Sequence, residues 1–373
     1  MTNRDPRVLH VTPVFRPGVG GVETYVETMA QAQAEAGWKV TVLTCQPGAS
    51  APASWDALAR PPLVVRVHRW ALGGAMRRLS AHNGFDVLHL HAWSRPTVLQ
   101  AALAGRAPML FTPHGAFVGP SARTSRAVRV VQAGFDRVVA KRLLARMSLV
   151  HALTEYQAAL LTRSWGVPPS RLVVQGPPLA DEARSPRPGT PGGRGRYLAM
   201  ARLSREKRVP DVLGALAARH ELAPCDVVGP EENDIAEVRR MAGRLDPDRV
   251  AFLGVVTGPE RLDLLRGATA LLLPSEFEGL SITALEALAQ GTPVVASATA
   301  SRGLPTAAIL VFPTGDVSAL ADRMHEVADP AVRDRLSSAA SEAAASFPSP
   351  ASHAAFLVAA YRRMGQSGPT GGQ

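Results

Sequence analysis

Two glutamates and two cations are spaced so that they could bind an extended anionic ligand. Glu278 and Glu286 lie within residues 271–297, whose pattern predicts a buried strand, a turn, a helix and a second strand. If helix filled the interval between the two carboxylates, they would lie about 12 Å apart, which suits an extended ligand better than an acid–base pair. Arg202 and Lys207 follow another predicted strand, at its carboxyl end. A guanidinium fork and a lysine point charge together suit a diphosphate.

Backbone amides at the start of the same predicted helix add further anion donors. The run from Glu278 through Gly279 and Leu280 to Ser281 leads into the helix, whose first N–H groups have no partner inside it. An anion held by the two cations could therefore meet these amides as well. The ordinary alternative is a pair of solvated surface glutamates, and the neighbouring cations favour a binding site.

A glycine loop near the start of the chain offers a second ligand contact. The segment opens with a predicted strand at 7–14, the glycine loop and a helix, which is the beginning of a parallel sheet. Gly20 and Gly21 let a ligand approach the backbone. Glu23 stands where a dinucleotide-binding loop needs its third glycine, and no acidic residue ends the second strand. These features argue against dinucleotide binding.

Histidines follow two further predicted strands. His114 comes directly after the strand at 109–112, at a carboxyl end where ligands collect in such sheets. The alternative for His114 is a loop histidine bonded to backbone. His89 and His91 alternate along one strand and so share a face. They could begin a metal site, but no third ligand is evident nearby, and we expect buried or acceptor-contacting histidines instead.

The elements that would position these residues fall into two domains. A chain of 373 residues is too long for one ordinary core. About seven and six strands alternate with helices on the two sides of a Pro- and Gly-rich stretch at 176–196, which predicts two Rossmann-like parallel-sheet domains of the α/β class. We predict a first domain at 1–178, a second at 179–350, a helix at 351–364 that returns to the first, and a disordered tail at 365–373.

The composition is that of a soluble protein with a basic surface. Lys and Arg number 41 against 31 Asp and Glu, a net charge of +10 that would attract nucleic acid, anionic lipid or phosphorylated small molecules alike. Aromatic residues make up only 5% of the chain, which argues against stacking on single-stranded nucleic acid. The two cysteines lie far apart, and no signal peptide or transmembrane run is evident. A cytoplasmic location is therefore expected.

One basic segment predicts a contact with a membrane surface. Between residues 121 and 147, cations recur on one side of a predicted helix or helix pair and apolar residues on the other. Such a face could lie on an anionic membrane, which would place the protein at the inner face of the cell membrane. An ordinary solvated helix over a core has much the same pattern.

These motifs, taken in order, resemble the family-four retaining glycosyltransferases of GT-B fold. The resemblance rests on Gly20–Glu23, His114–Gly115, Arg202 to Lys207, and the segment 274–297, which is similar to the Glu-x7-Glu signature of that family. It covers nearly the whole chain. It implies a GT-B architecture, in which two Rossmann-like domains face each other across a cleft.

The resemblance also implies roles for residues of the second domain. Arg202 and Lys207 would hold the diphosphate of a nucleotide-sugar donor. Glu278 would contact hydroxyls of the donor sugar, with the amides of Gly279–Ser281 near sugar and phosphate. Glu286 would bind the ribose. No cofactor or metal is expected, because the only Asp-x-Asp string, at 246–248, precedes a predicted strand and looks like a turn that ends a helix.

In the first domain, the resemblance implies contacts with the donor and the acceptor. Gly20 and Gly21 would close on phosphates or acceptor with Glu23 beside them, and His114 would lie near the reacting carbon. The predicted reaction moves a sugar, with retention of configuration, from a UDP- or GDP-type donor to a hydroxyl of a glycan, lipid or small metabolite. Such a reaction belongs to polysaccharide or glycoconjugate biosynthesis.

Two other kinds of protein stay open on the sequence alone. One is a non-catalytic, basic nucleotide- or nucleic-acid-binding protein on the same fold, and the other is a GT-B phosphorylase or epimerase. The strings at 176–181 and 302–306 depart from the usual family pattern, so the donor is predicted only as UDP- or GDP-type. A capping box at Thr257 and Glu260 is also predicted to open one helix.

Overall fold

The chain forms two compact units. The computed structural model describes residues 5–18, 20–45, 54–56, 62–93, 95–115, 139–188, 191–231 and 235–366. One unit comprises Met1–Pro178 with Pro350–Gln373, and the other comprises Leu179–Ser349. Each unit has its own sheet and its own apolar core.

The sheet of the first unit has the order β3-β4-β2-β1-β5-β6-β7-β8. Its strands are β1 Arg7–Thr12, β2 Lys39–Cys45, β3 Ser54–Asp56, β4 Leu63–Val67, β5 Val87–His91, β6 Met109–Thr112, β7 Leu149–Ala152 and β8 Leu172–Val174. Seven of them match the predicted strands and run parallel. Strand β3 pairs antiparallel with β4 and was not predicted, because three residues are too few to show a period.

Helices flank this sheet and bury apolar faces against it. They are α1 Gly21–Glu35, α2 Leu72–Asn83, α3 Arg95–Ala104, α4 Lys141–Arg146, α5 Glu155–Trp165 and α13 Pro350–Gln366. The last of these belongs to the first unit although it follows the second in sequence. It extends through Gly365 and Gln366, so the predicted disordered tail is wrong for those two residues. The rest of that tail, residues 367–373, lies outside the described residues.

The predicted basic segment is described only from residue 139 onwards. There Lys141, Arg142 and Arg146 are exposed, while Leu143 and Leu144 are buried. This short stretch has the amphipathic pattern that the sequence predicted. Residues 121–138 lie outside the described part of the chain. No helix in the described ranges is both long enough and apolar enough to span a bilayer.

The sheet of the second unit has the order β11-β10-β9-β12-β13-β14, and its strands are parallel. They are β9 Tyr197–Met200, β10 Cys225–Val228, β11 Val250–Gly254, β12 Leu271–Leu273, β13 Val294–Ser297 and β14 Ile309–Phe312. The helices are α6 Asp181–Arg184, α7 Val209–Ala218, α8 Ile235–Ala242, α9 Gly258–Gly267, α10 Ile282–Ala289, α11 Val317–Ala328 and α12 Pro330–Ala344. The central strands are apolar and buried, as expected where helices cover both faces.

Most of the stretch predicted as a linker is bound to the second unit. The side-chain amide of Gln290 donates to the carbonyl of Ala183 at 2.8 Å. Arg187 pairs with Asp263 at 2.8 Å. The side chain of Arg194 lies 3.0 Å from the carboxylate of Asp226. These contacts hold Ala183, Arg187 and Arg194 on the second unit.

One predicted helix start is wrong in its detail. Thr257 does precede α9, but its hydroxyl makes no capping hydrogen bond. The helix begins with Gly258 and Pro259, and proline has no N–H group, so one of the two amides that an N-cap side chain can bind is missing. By contrast, the side chain of Ser281 does cap α10, accepting a hydrogen bond from the amide of Ala284 at 3.2 Å.

Candidate functional site

Two loops meet at the centre of the second sheet. One, at 201–208, follows β9, and the other, at 274–281, follows β12. Strands β9 and β12 are neighbours, and chain order reverses between them, which is where open parallel sheets bind ligands. The amide of Glu276 donates to the carbonyl of Glu206 at 2.7 Å. The loops therefore form one edge of a site at the carboxyl ends of the strands.

The structure brings Lys207 and Glu278 together in this edge. They form an ion pair, with 16% and 12% of their side chains exposed. The Ser275 hydroxyl donates to Glu278 at 3.0 Å. The Ser275 carbonyl in turn accepts from the Ser297 hydroxyl at 2.6 Å. A fixed cation and a fixed carboxylate therefore lie side by side, both within reach of a bound ligand.

Arg202 lies at the start of the first loop with an exposed side chain. The loop start is held by close backbone packing, because a Cβ atom at Gly229 would lie 1.9 Å from the carbonyl oxygen of Ala201. Glu206 adds a negative charge to the same loop. Burial would raise the pKa of Glu206, but the Ser204 hydroxyl and nearby positive charges outweigh this effect and hold the pKa below its ordinary value.

Helix α10 begins later than the sequence predicted. Its first residue is Ile282, so Glu278 lies in the loop before the helix. The predicted separation of about 12 Å assumed continuous helix between Glu278 and Glu286, and that assumption is wrong. Gly279, Leu280 and Ser281 likewise lie in the loop, where Ser281 is the N-cap. The first amides of the helix itself are those that follow Ser281.

Glu286 is buried and forms an ion pair with Arg261. The guanidinium of Arg261 binds both of its carboxylate oxygens, one of them at 2.6 Å. Only 3% of the Glu286 side chain is exposed, against 26% for Arg261. Burial would lower the pKa of Arg261, but the hydrogen bonds and charge of Glu286 hold it above its ordinary value. Sequence reasoning missed Arg261, since nothing in the chain links two residues on separate helices.

In the first unit, Glu23 covers the glycine loop. It lies in the first turn of α1. A Cβ atom at Gly20 would lie 2.6 Å from one of its carboxylate oxygens, and a Cβ atom at Gly18 would lie 3.2 Å from the other. The absence of side chains at these glycines thus admits the carboxylate. A carboxylate here can accept a hydrogen bond from a hydroxyl group of a ligand, whereas it would repel a phosphate.

His114 belongs to a cluster of buried histidines. Its Nε2 atom lies 3.1 Å from Nδ1 of His91, and its ring meets the edge of Tyr25 with centroids 4.6 Å apart. His114 itself is half-buried and has a left-handed backbone, with φ of 53°. The fully buried members are His10, His89, His91, His151 and His353. Sequence reasoning found three of these six residues.

Three of these rings are close enough to share a metal ion. One nitrogen from each of His10, His89 and His91 lies within 4.8 Å of the other two. The sequence prediction that no third candidate ligand lies near His89 and His91 is therefore wrong. The missed signal was register, because His10 on β1 pairs with His89 on β5. Both ring nitrogens of all three residues already take part in hydrogen bonds, so hydrogen bonding accounts for their burial.

The buried histidines should make the first unit sensitive to acid. Burial lowers the pKa of His10 and of His151 from 6.5 to about 4, so both are neutral when folded and charge below pH 6.5 when unfolded. The unfolding free energy should fall between pH 6.5 and 4 by up to about 1.4 kcal/mol per pH unit for each histidine. All five tryptophans lie within residues 38–165, so their fluorescence in urea follows this unit.

A pair of histidine variants controls that measurement. His353 is fully buried and its pKa is lowered by burial, so His353→Asn should reduce the pH slope. His68 is exposed, and His68→Asn should leave the slope as it is. Equal slopes in both variants would contradict the buried neutral histidines.

Two family models match the chain, one over most of each unit. The family described as Glycosyltransferase Family 4 matches residues 19–182. The family described as Glycosyl transferases group 1 matches residues 194–329. Both halves of the chain are thus similar to sugar-transferring enzymes.

Curated relatives agree along nearly the full length. A D-inositol 3-phosphate glycosyltransferase of Kribbella flavida is 28% identical, over 91% of this chain and 90% of its own. A glycogen synthase of Mycobacterium tuberculosis is also 28% identical, over 90% of this chain and 89% of its own. The likeness therefore spans both units.

Solved structures share the fold at lower identity. Sucrose-phosphate synthase from Thermosynechococcus elongatus aligns with a TM-score of 0.79 at 22% identity, covering 98% of this chain and 100% of that one. Anabaena HepE in complex with UDP-glucose aligns with a TM-score of 0.71 at 17% identity, covering 95% and 99%. At these identities the likeness shows the fold alone.

Proposed function

Because this chain belongs to the glycosyltransferases of family 4, with the GT-B fold, we propose that it transfers a sugar from a UDP- or GDP-type donor to a hydroxyl acceptor. The observation that carries the proposal is the paired Lys207 and Glu278 at the centre of the second sheet. A cation for phosphate and a carboxylate for sugar hydroxyls stand together there.

We place the donor diphosphate beside Lys207 and Arg202. Departure of a nucleoside diphosphate leaves negative charge on a phosphate oxygen, and fixed cations stabilise that charge in the transition state. The amides that open α10 would add backbone donors. The reaction is proposed to need no metal ion. In support, the Asp-x-Asp string at 246–248 precedes β11 and so lies at the amino end of that strand. The site lies at the carboxyl ends of the strands.

Glu286 is proposed to bind the ribose of the donor. Each carboxylate oxygen has two lone pairs, so the fork of Arg261 leaves acceptor capacity for ribose hydroxyls. Arg261 fixes the direction of the carboxylate. It also offsets the cost of burying that charge.

The first unit is proposed to supply contacts to hydroxyl groups. Glu23 places a carboxylate over the glycine loop, which suits an acceptor hydroxyl. Retention of configuration would follow from attack on the face that the diphosphate leaves. In that step the bond from the sugar carbon to the phosphate oxygen breaks, the bond to the acceptor oxygen forms, and the acceptor proton passes to the leaving phosphate.

A panel of UDP-, GDP- and ADP-sugars tests the proposal. The expected result is a rise in thermal stability with one nucleotide and slow hydrolysis of its sugar without a metal ion. The uridine series comes first, because the HepE structure contains UDP-glucose. Stabilisation by none of them would overturn the proposal. Interconversion of the donor sugar without hydrolysis would indicate an epimerase, and release of a sugar 1-phosphate from a glycan and phosphate would indicate a phosphorylase.

Peripheral contact with an anionic membrane is also proposed, through residues 121–147. The described part of this segment supports it, since its cations are exposed and its leucines are buried. The rest of the support is the sequence pattern alone. Salt-sensitive sedimentation with anionic vesicles would test this contact.

A further inference from the structure

The buried histidines of the first unit form a directed chain of hydrogen bonds that begins at a backbone carbonyl. A carbonyl oxygen can only accept. Nε2 of His151 lies 2.9 Å from the carbonyl oxygen of Gln175 and must therefore carry the proton. In a neutral ring the other nitrogen then accepts. The nearest donor to Nδ1 of His151 is the Thr112 hydroxyl, at 3.1 Å. Tyr25 lies farther from that nitrogen, at 3.5 Å.

The single hydrogen of Thr112 decides the next bonds. Because that hydrogen points to His151, the Thr112 oxygen must accept from Nε2 of His89, which lies 2.8 Å away. Nδ1 of His89 then accepts from the Tyr361 hydroxyl at 2.7 Å. With its own hydrogen used, the Tyr361 oxygen accepts from the side-chain amide of Gln33 at 3.0 Å.

Gln33 sets the direction of the remaining hydrogen bonds, which end at His114. Its carbonyl oxygen faces Nε2 of His10 at 2.7 Å, which must therefore donate. Nδ1 of His10 then accepts from Nε2 of His91 at 2.8 Å. Nδ1 of His91 accepts from Nε2 of His114 at 3.1 Å. His114 is thereby left with an unprotonated Nδ1, which has no hydrogen-bond partner within the described ranges.

The chain requires every ring in it to be neutral, and burial supplies that condition. Burial lowers the pKa of His10, His89, His91 and His151. Among the described residues, no carboxylate is hydrogen-bonded to any of these rings. One hydrogen then lies between each pair of partners, and no donor faces another donor.

We propose that the Gln175 carbonyl, acting through Thr112 and Gln33, holds His114 in the tautomer whose Nδ1 accepts a hydrogen bond from a hydroxyl of the bound sugar. This role rests on the proposed transferase function. Thr112 and Gln33 are positioning residues. They touch no substrate, and they determine which nitrogen of His114 carries the proton.

The tautomer can be measured without any assay of transfer. In protein labelled with ¹⁵N at histidine, the ring nitrogen shifts of His114, assigned by difference from His114→Gln, should show protonated Nε2 and bare Nδ1 at pH 7.5. Protonated Nδ1 would overturn the proposal, and so would a stoichiometric metal ion in the purified protein. Neither result depends on the donor or on the reaction.

Two substitutions of Thr112 test whether this residue controls the tautomer of His114. Thr112→Val keeps the shape but removes the hydroxyl, so the chain from His89 onwards is free to reverse. Thr112→Ser keeps the hydroxyl and so the direction. We expect the Val variant to show both tautomers of His114, and the Ser variant to show the native one. A single native tautomer in folded Thr112→Val would overturn the proposal.

The kinetic consequence follows the tautomer. With Nδ1 protonated, the sugar hydroxyl must accept from His114 and its own hydrogen loses that acceptor, so kcat/KM should fall by about tenfold in molecules with this tautomer. In Thr112→Val the loss should follow the fraction of molecules that hold the reversed tautomer, and Thr112→Ser should keep the native kcat/KM. Equal losses in both variants would indicate a merely structural role and overturn the proposal. If the native protein shows the expected tautomer but transfers no sugar, the proposed function fails while the hydrogen-bond chain stands.

Discussion

Replacing Lys207 by methionine should lower kcat for sugar transfer by about 10²–10³-fold while the fold persists. Methionine keeps most of the length of the side chain and removes the charge. Loss of one fixed donor to a charge that develops in the transition state has an effect of this size. The binding of the nucleotide should weaken less, because the charge on the leaving phosphate grows only as the bond breaks. Steady-state kinetics with the donor found in the nucleotide panel measures both effects.

The matched control is Arg205→Met. Arg205 lies on the same turn as Lys207, and its side chain is exposed, so this variant removes an equal charge from the same loop. It should retain kcat within about twofold, because an exposed charge is screened by solvent. A similar loss in both variants would mean that the general positive field of the loop matters, and not the ammonium group of Lys207.

A double variant separates two explanations of the loss. Without Lys207, the carboxylate of Glu278 loses its ion-pair partner and could repel the phosphates. If repulsion were the cause, adding Glu278→Gln would restore much of kcat. We expect no restoration, because the ammonium group stabilises the leaving charge and Glu278 contacts the sugar. Restored turnover in the double variant would contradict the role given to Lys207.

The sequence predicted most strands of the two sheets, because each strand is encoded by a short local pattern of residues. Most strands of the second unit are short apolar runs bounded by turn residues, and the order of the motifs identified the loops that follow β9 and β12. The start of α10 could not be read so well. Leu280 extends the apolar pattern of the helix back past its true start at Ile282, and Ser281 acts as the cap only through a contact that depends on the folded loop.

The partners of the site residues were harder to predict, because each pair joins distant parts of the chain. Lys207 and Glu278 were predicted as one site from their strand ends, and that inference used topology. Arg261 lies on α9, and its contact with Glu286 depends on how two helices pack. Likewise His10 meets His89 only through the register of β1 on β5. A pattern along the chain shows neither helix packing nor strand register.

Replacing Arg261 by methionine should lower the unfolding free energy of the second unit by about 3 kcal/mol. The change leaves the carboxylate of Glu286, almost fully buried, without its cation, and an uncompensated buried charge typically costs about 3–5 kcal/mol. The lower end is expected because a quarter of the Arg261 side chain is exposed. Cys225 is fully buried in this unit, so its rate of thiol labelling in urea, in a Cys45→Ser background, follows the unfolding.

Two further variants show whether the lost ion pair explains that result. Asp263→Asn breaks the exposed pair of Arg187 with Asp263 on the same helix, and it should leave the unfolding free energy close to that of the parent. Arg261→Met combined with Glu286→Met removes both charges and should recover much of the stability, because apolar side chains can replace a buried ion pair without loss. The double variant should nevertheless lose nucleotide binding, since no carboxylate is left for the ribose. Retained nucleotide affinity in a stable double variant would show that Glu286 serves only the packing of α9 on α10.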